Sequence, residues 1–259
     1  MRIGEYTPAV DASPADWVIE GLRGFADSVL AVVPAGFEAY ARIFHPAELG
    51  PGRVGPADDW EVRSVSWHEV AAANNRIAHA RMQWDNLVGA QEGTPDRPPA
   101  APQPGVWDDE PSVGSLPRTL AVALAGLLAG HTAAPQECFF AVWEGWDDLR
   151  VPKRIRVPKR IASFRIPHRR MLLLRGPVTA VSTSLAGPEP VPHQSPNLWW
   201  PADRAWCAAT EIDFDSTYLA VSRACVDALL AGPAFEAFAV NPADGIGAYS
   251  DMVNPPPPS

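Results

Sequence analysis

Four stretches of the chain have the pattern of a helix, and three of them begin with a residue that can cap a helix start. Ser13 precedes a proline, and Ser66 lies three residues before Glu69, which is the spacing of a capping box. An Ala- and Leu-rich stretch at 116–130 needs no polar face and suits a buried helix. The pattern therefore predicts helices over 13–27, over 66–79 with a continuation to about 87, over 116–130, and from Ser222 to Gly232.

Runs of β-branched and aromatic residues between turn residues predict the strands. These runs lie at 29–33, 38–44, 138–143, 171–174, 178–181, 205–212, 217–221 and 235–240. They come in adjacent pairs more often than they alternate with helices, which favours antiparallel pairing. The predicted fold class is α+β, with a largely antiparallel sheet and short helices packed on it in a single domain.

Composition changes this picture mainly through proline. The 259 residues include 29 prolines, and seven of them fall between positions 95 and 117, where neither a helix nor a central strand can continue. We interpret 93–117 as a long surface loop, although a linker between two subdomains has the same composition. The proline-rich end, 254–259, is predicted to be a disordered tail. With 47% hydrophobic residues, the rest can bury a substantial core.

Charge is distributed unevenly. The chain carries a net charge of −9, yet ten of its 21 Lys and Arg residues lie between Arg150 and Arg175, with no acidic residue among them. The hexapeptide at 150–155 repeats at 156–161. We interpret 150–170 as a basic, extended insertion that pairs with acidic side chains elsewhere. The alternative is anion or nucleic-acid binding, with these candidates: Lys153, Arg154, Lys159, Arg160 and His168.

The cysteine content and the hydropathy of the chain indicate in which cellular compartment we expect the protein. Three cysteines at positions 138, 207 and 225 form neither a disulfide framework nor a zinc knuckle. Residues 1–13 do not have the pattern of a secretory signal, and 116–130 is too short to cross a bilayer. We therefore expect a soluble, cytoplasmic protein without a membrane segment, without a cofactor and without a bound metal.

One stretch matches a catalytic motif. Asp213, Asp215 and Thr217 have the D-x-D-x-T spacing of haloacid-dehalogenase-like phosphatases, in which the two aspartates serve as nucleophile and general acid. In that family the motif lies near the start of a Rossmann-type chain, whereas here it follows a predicted strand near the end. An acidic turn is the simpler interpretation.

Tryptophans next to carboxylates occur in two turns and suggest a pocket for a polar or cationic ligand. Large aromatic side chains at strand ends can equally well close a core. The candidate ligand-binding residues are Trp143, Trp146, Trp199, Trp200, Asp203, Arg204, Glu211, Asp213 and Asp215.

The second of these turns also carries a family resemblance. Residues 197–213, NLWWPADRAWCAATEID, together with the first eight residues and Ile166-Pro-His-Arg, resemble a family of uncharacterised proteins from high-GC actinomycete bacteria. The resemblance implies no activity and no catalytic residues.

These observations favour a non-enzymatic intracellular binding or protein-interaction protein. Its partner is unknown, with another protein as one candidate, and neither nucleic acid nor a membrane is expected. The alternative is a carboxylate-based hydrolase or a metal-dependent enzyme that uses Glu211, Asp213 and Asp215. A second alternative is anion or nucleic-acid binding through the basic segment.

Overall fold

The fold is centred on an antiparallel sheet. A computed structural model describes residues 3–25, 27–50, 62–89, 101–150, 161–187 and 192–254. Its strands are β1 (Thr7–Pro8), β2 (Ala39–Phe44), β3 (Ala47–Leu49), β4 (Arg63–Val65), β5 (Cys138–Trp143), β6 (Ser163–Ile166), β7 (Arg169–Gly176), β8 (Leu198–Pro201), β9 (Cys207–Ala209), β10 (Ser216–Val221) and β11 (Ala237–Val240).

Nine of these strands form one sheet. The order across it is β1-β7-β5-β8-β9-β10-β2-β11, with β6 also paired to β7, and β3 and β4 form a separate ribbon. Every strand pair in the described residues is antiparallel. The α+β class with a largely antiparallel sheet and a single domain is therefore confirmed.

The helices are short, as the proline content predicts. They are α1 (Asp16–Gly21), α2 (Trp67–Ala73), α3 (Trp84–Val88), α4 (Arg118–Ala129) and α5 (Arg223–Ala231). The predicted capping box is present, because Ser66 and Glu69 satisfy each other's backbone N–H groups at the start of α2. The Ser222 side chain accepts a hydrogen bond from the Cys225 N–H and caps α5.

Apolar side chains cover both faces of the sheet. Residues that alternate along a strand point to opposite faces, so Trp199 and Trp200 lie in different clusters. One face packs against α4, α5 and a 3-10 helix at Val178–Ser182, and the other packs against α1 and the segment that follows it. A third cluster forms around Trp67, Trp84 and Trp107.

Two predicted strands are wrong. Residues 29–33 and 178–181 are rich in valine, but they contain 3-10 helices at Val29–Ala31 and Val178–Ser182. The N–H groups of Val29 and Leu30 donate to carbonyls near the chain end, at Asp244 and Pro242, and not to a sheet strand. Tertiary packing outweighs the β-propensity of such short runs.

Two predicted helices are too long, and five strands were not predicted, namely β1, β3, β4, β6 and β8. The first helix ends at Gly21, and α2 ends at Ala73, two residues before Asn75, which takes a left-handed φ of 55°. Among the strands that were not predicted, β8 contains the two tryptophans that the sequence pattern assigned to a turn. It lies between β5 and β9 in the interior of the sheet.

The predicted basic insertion also requires correction. Residues 163–166 and 169–170 belong to β6 and β7, so this part of the segment is a hairpin of the main sheet. Residues 151–160 lie outside the described residues, as do 93–100 of the proline-rich loop and 255–259 of the tail. Residues 101–117, the described part of that loop, contain turns and isolated bridges but neither helix nor strand.

The described helices are too short to span a membrane. The longest, α4, has 12 residues, and none combines the length and apolar character that a bilayer crossing requires. The three cysteines are buried and free. Burial raises the pKa of Cys225 to about 11, which argues against the activated thiolate that its place near a helix start suggests.

Candidate functional site

A pocket opens on the face of the sheet that carries α1, next to the turn between β9 and β10. We call it the Arg169 pocket. Its cavity volume is about 80 Å³, and the space is about 670 Å³ when the part that is open to solvent is included. The lining residues are Phe25, Ala31, Val32, Ile166, Pro167, Arg169, Met171, Asn197, Leu198, Ala209, Thr210, Glu211, Ile212, Asp213 and Phe214. The walls are thus largely apolar, and charged side chains are confined to one end.

Strand β7 positions the central charged residue. Arg169 lies two residues before Met171 and four before Leu173, so the three side chains share one face of β7. The preceding turn fixes the start of this strand, because Pro167 restricts φ and His168 takes a left-handed φ of 58°. The His168 ring packs on Phe25 with 4.5 Å between ring centroids.

The Arg169 guanidinium forms the polar end of the pocket. Its Nη2 lies 2.9 Å from Asp213 Oδ2 and 3.3 Å from Glu211 Oε1. Its Cζ lies 5.6 Å from the centre of the Trp143 ring, within the range of a cation–π contact. Its Nε is buried and has no hydrogen-bond partner among the described residues. One donor of the arginine is therefore free for a further acceptor.

The two carboxylates at this end differ in exposure. The Glu211 side chain is 21% exposed, whereas that of Asp213 is 71% exposed. Burial raises the pKa of Glu211, although the hydrogen bond from the Asp213 N–H and the positive charge of Arg169 oppose the rise. Glu211 Oε2 also accepts a hydrogen bond of 2.7 Å from the Asp213 N–H. Glu211 is therefore held in place, and Asp213 is the member of the pair with room to move.

Asp215 belongs to a different cluster. Its Oδ1 lies 3.7 Å from Nη2 of Arg42, and it does not line the Arg169 pocket. Burial raises the pKa of Asp215 to about 6, although Arg42 favours the ionised form. Within the described residues, no group of three His, Cys, Asp or Glu side chains is arranged to hold a metal ion. The three carboxylates of the proposed enzyme site are thus divided between two arginines.

The four candidate tryptophans have different surroundings. Trp199 and Trp200 are each 1% exposed and are core residues, so neither contacts a ligand in this arrangement. Trp143 lies beside Arg169, behind the polar end of the pocket. Trp146 donates a hydrogen bond to Asn197 Oδ1 and lines a separate recess. Of the four tryptophans, Trp143 is therefore the one that lies nearest to the charged end of the Arg169 pocket.

Asp203 and Arg204 lie at the far end of β8. The Asp203 carboxylate accepts hydrogen bonds from the Thr132 hydroxyl and from the N–H groups of Ala133 and Ala205. These contacts hold two loops together, so Asp203 has a structural role. Arg204 lies over the Trp17 ring at 5.8 Å.

The basic candidates are only partly described. Lys153, Arg154, Lys159 and Arg160 lie outside the described residues. Elsewhere in the segment, Arg169 pairs with Glu211 and Asp213, and Arg170 pairs with Glu144 at 2.8 Å. For these two arginines, the expected pairing with acidic side chains is confirmed.

Sequence reasoning missed most of the pocket wall. Phe25, Ile166 and Leu198 come from three distant parts of the chain, and nothing local marks them. Arg169 did carry a signal, since a charged residue continues the apolar face of Met171 and Leu173. Such a position usually indicates a buried charge with a specific partner.

Comparisons with known proteins add no assignment: no protein-family model, curated protein or solved structure matches this chain.

Proposed function

We propose that this chain is a binding protein that takes a small, largely apolar molecule into the Arg169 pocket. The observation that carries the proposal is the combination of apolar pocket walls with a single charged end. Ligand pockets of folded proteins commonly have this division between apolar walls and a few polar groups.

The charged end supports a ligand with a hydrogen-bond acceptor. The buried Nε of Arg169 has no partner among the described residues, and an unpaired buried donor costs about 1–3 kcal/mol. An acceptor on the ligand would remove this cost. Asp213 already occupies Nη2 on the same edge of the guanidinium, and its exposed side chain can swing aside. A carbonyl, amide or carboxyl group at one end of an apolar body fits this requirement.

Filling the pocket tests the proposal. Ala209 and the half-buried Ala31 both line the pocket. We expect Ala209→Leu and Ala31→Leu to weaken binding of the neutral dye Nile red by about tenfold or more, because the added side chain occupies ligand volume. Ala239→Leu is the matched control, since Ala239 is exposed on β11 and lies outside the pocket.

Equal dye binding by all four proteins would overturn the proposal, provided that circular dichroism shows each variant folded. Mass spectrometry of small molecules extracted from the purified protein gives a second measurement. An apolar compound present with the wild type and the Ala239→Leu variant, but absent from the filled variants, supports the proposal and identifies the ligand.

A further inference from the structure

A second recess lies at the start of α4, and it shares no residue with the Arg169 pocket. Its cavity volume is about 330 Å³, and the space is about 730 Å³ when its open part is included. The lining residues are Arg118, Arg150, Ser182, Thr183, Ser184, Gly187 and His193. Two arginines, a histidine and three hydroxyl groups thus face one concave surface, with no carboxylate among them.

The two arginines keep their positive charge available. Arg118 Nε donates a 3.0 Å hydrogen bond to the Ser182 carbonyl, which ties the start of α4 to the 182–184 segment. Within the described residues, no carboxylate forms an ion pair with Arg118 or Arg150. In a chain with 30 acidic and 21 basic residues, two arginines that line one recess without an acidic partner among the described residues are unexpected.

His193 supplies the observation that points to a ligand. Both of its ring nitrogens are buried, and neither has a hydrogen-bond partner in the described part of the chain. Buried polar atoms in native proteins are nearly always paired, so such an orphan calls for a missing partner. Burial lowers the pKa of His193 to about 4, and Arg118 lowers it further. Asp147 and Asp148 line the neighbouring recess, which His193 also borders.

The hydroxyl groups add directional donors. Ser184 Oγ accepts hydrogen bonds from the N–H groups of Ala186 and Gln194, at 3.2 and 3.0 Å. Its own proton has no acceptor among the described residues. Both bonds hold the Oγ in place and leave its O–H available to donate to a ligand.

Helix α4 itself has an unusual start. No side chain caps its first turn, no acidic residue lies there, and Arg118 occupies the first helical position. The N-terminal end of a helix carries a partial positive charge, so a basic residue at this position is unfavourable. A bound anion would offset both charges. A helix start that departs from the usual preferences for capping and charge often lies at a functional site.

We propose that this recess binds a phosphate group, held by Arg118, Arg150, His193 and the Ser184 hydroxyl. Arginine suits a tetrahedral oxyanion because its N–H groups can engage two oxygens at once. Inorganic phosphate and a phosphate monoester present the same group, and the test below distinguishes them.

Calorimetric titration with inorganic phosphate and with phenyl phosphate, at constant ionic strength, tests the proposal. We expect saturable binding that weakens about tenfold for Arg118→Gln and about tenfold for Arg150→Gln, since each loses a charge-assisted hydrogen bond. Arg175→Gln is the matched control, because Arg175 is an exposed arginine outside the recess. Tighter binding of phenyl phosphate than of phosphate would identify an ester as the preferred form.

Nuclear magnetic resonance of the histidine ring protons gives a direct readout. Phosphate should shift the His193 signals in the wild type and in Ala209→Leu, whose substitution lies in the other pocket. Failure of the Arg169 pocket would leave this result unchanged. Absence of saturable binding, or equal weakening by Arg175→Gln, would overturn the phosphate site.

Discussion

Two arginines pair with aspartates two residues apart in the same turn, yet their surroundings differ. Arg42 is 2% exposed, and its guanidinium reaches Ser216 Oγ, the Met82 carbonyl and Asp215 at 2.9, 2.8 and 3.7 Å. Arg169 borders a cavity and keeps one buried donor without a partner among the described residues. We therefore interpret Arg42 as an arginine that holds parts of the fold together, and Arg169 as an arginine that is available to bind a ligand.

Aromatic packing strengthens the comparison. The Arg42 Cζ lies 4.4 Å from the Phe44 ring centre and 5.6 Å from those of Trp67 and Tyr218, so aromatic rings surround it. Arg169 has one such contact, with Trp143. The Arg42 guanidinium is therefore enclosed by aromatic rings next to the third cluster. The Arg169 guanidinium has a single aromatic contact and borders the pocket.

Replacing Arg42 should have the largest effect. Arg42→Met removes the hydrogen bonds to Ser216 and to the Met82 carbonyl and leaves the Asp215 carboxylate without its cation. We expect a loss of about 3–5 kcal/mol in the free energy of unfolding, measured by urea denaturation. A loss below about 1 kcal/mol would show that Arg42 is dispensable to the fold.

The protonation of Asp215 should give the next largest effect. Its pKa is about 6 in the folded protein and 3.8 ordinarily, so the folded state binds its proton more tightly. Stability from this group is therefore present below pH 4 and is lost as the pH rises to about 6. Relative to Asp215→Asn, the wild type should lose about 2 kcal/mol of unfolding free energy between pH 4 and 7.

Denaturation of the wild type and of Asp215→Asn between pH 4 and 7 tests whether the difference in their unfolding free energies falls or rises with pH. Asparagine resembles the protonated aspartate, so other titrating groups cancel in the difference. A wild type that gains stability over the variant with rising pH would mean that the ion pair with Arg42 outweighs the burial of Asp215.

Arg169→Met should affect binding more than stability. Because the side chain is held mainly by partly exposed carboxylates, we expect a loss of about 1 kcal/mol or less in the free energy of unfolding. Affinity for the compound extracted from the pocket should fall about tenfold or more. A stability loss equal to that of Arg42→Met would remove the distinction between the two arginines.

Asp213→Asn should give the smallest change. Its side chain is 71% exposed, and exposed ion pairs contribute little. We expect a change within about 0.5 kcal/mol in the free energy of unfolding, with ligand affinity maintained or raised, because the competitor for Arg169 is weakened. A tenfold loss of affinity would instead make Asp213 a ligand contact.

Local signals predicted some elements well. The strand Cys138–Trp143 was predicted with its bounds, α4 within two residues, and the caps at Ser66 and Ser222 are present. These features depend on short-range physics, namely side chains that satisfy nearby N–H groups and an apolar pattern that matches one element. Residues 29–33 and 178–181 failed because short valine runs yield to the contacts available around them.

The candidate site was predictable only in part. Glu211 and Asp213 were identified as candidate ligand-binding residues, and both line the Arg169 pocket. Trp199 and Trp200 stood out by residue type, but β8 lies between two other strands and buries both rings in opposite faces of the sheet. Whether an aromatic side chain is exposed depends on the position of its strand in the sheet. The neighbouring residues in the sequence do not determine that position.

By itself, the sequence determined the α+β class, the short helices with their caps, and the uneven distribution of charge, because these follow from local patterns and composition. Only the tertiary structure decided which arginine each aspartate of the 213–215 turn meets. It also brought Phe25, Ile166 and Leu198 around one cavity, and Arg118 and His193 around another. Such sites depend on long-range strand pairing, which joins residues that are far apart in the chain.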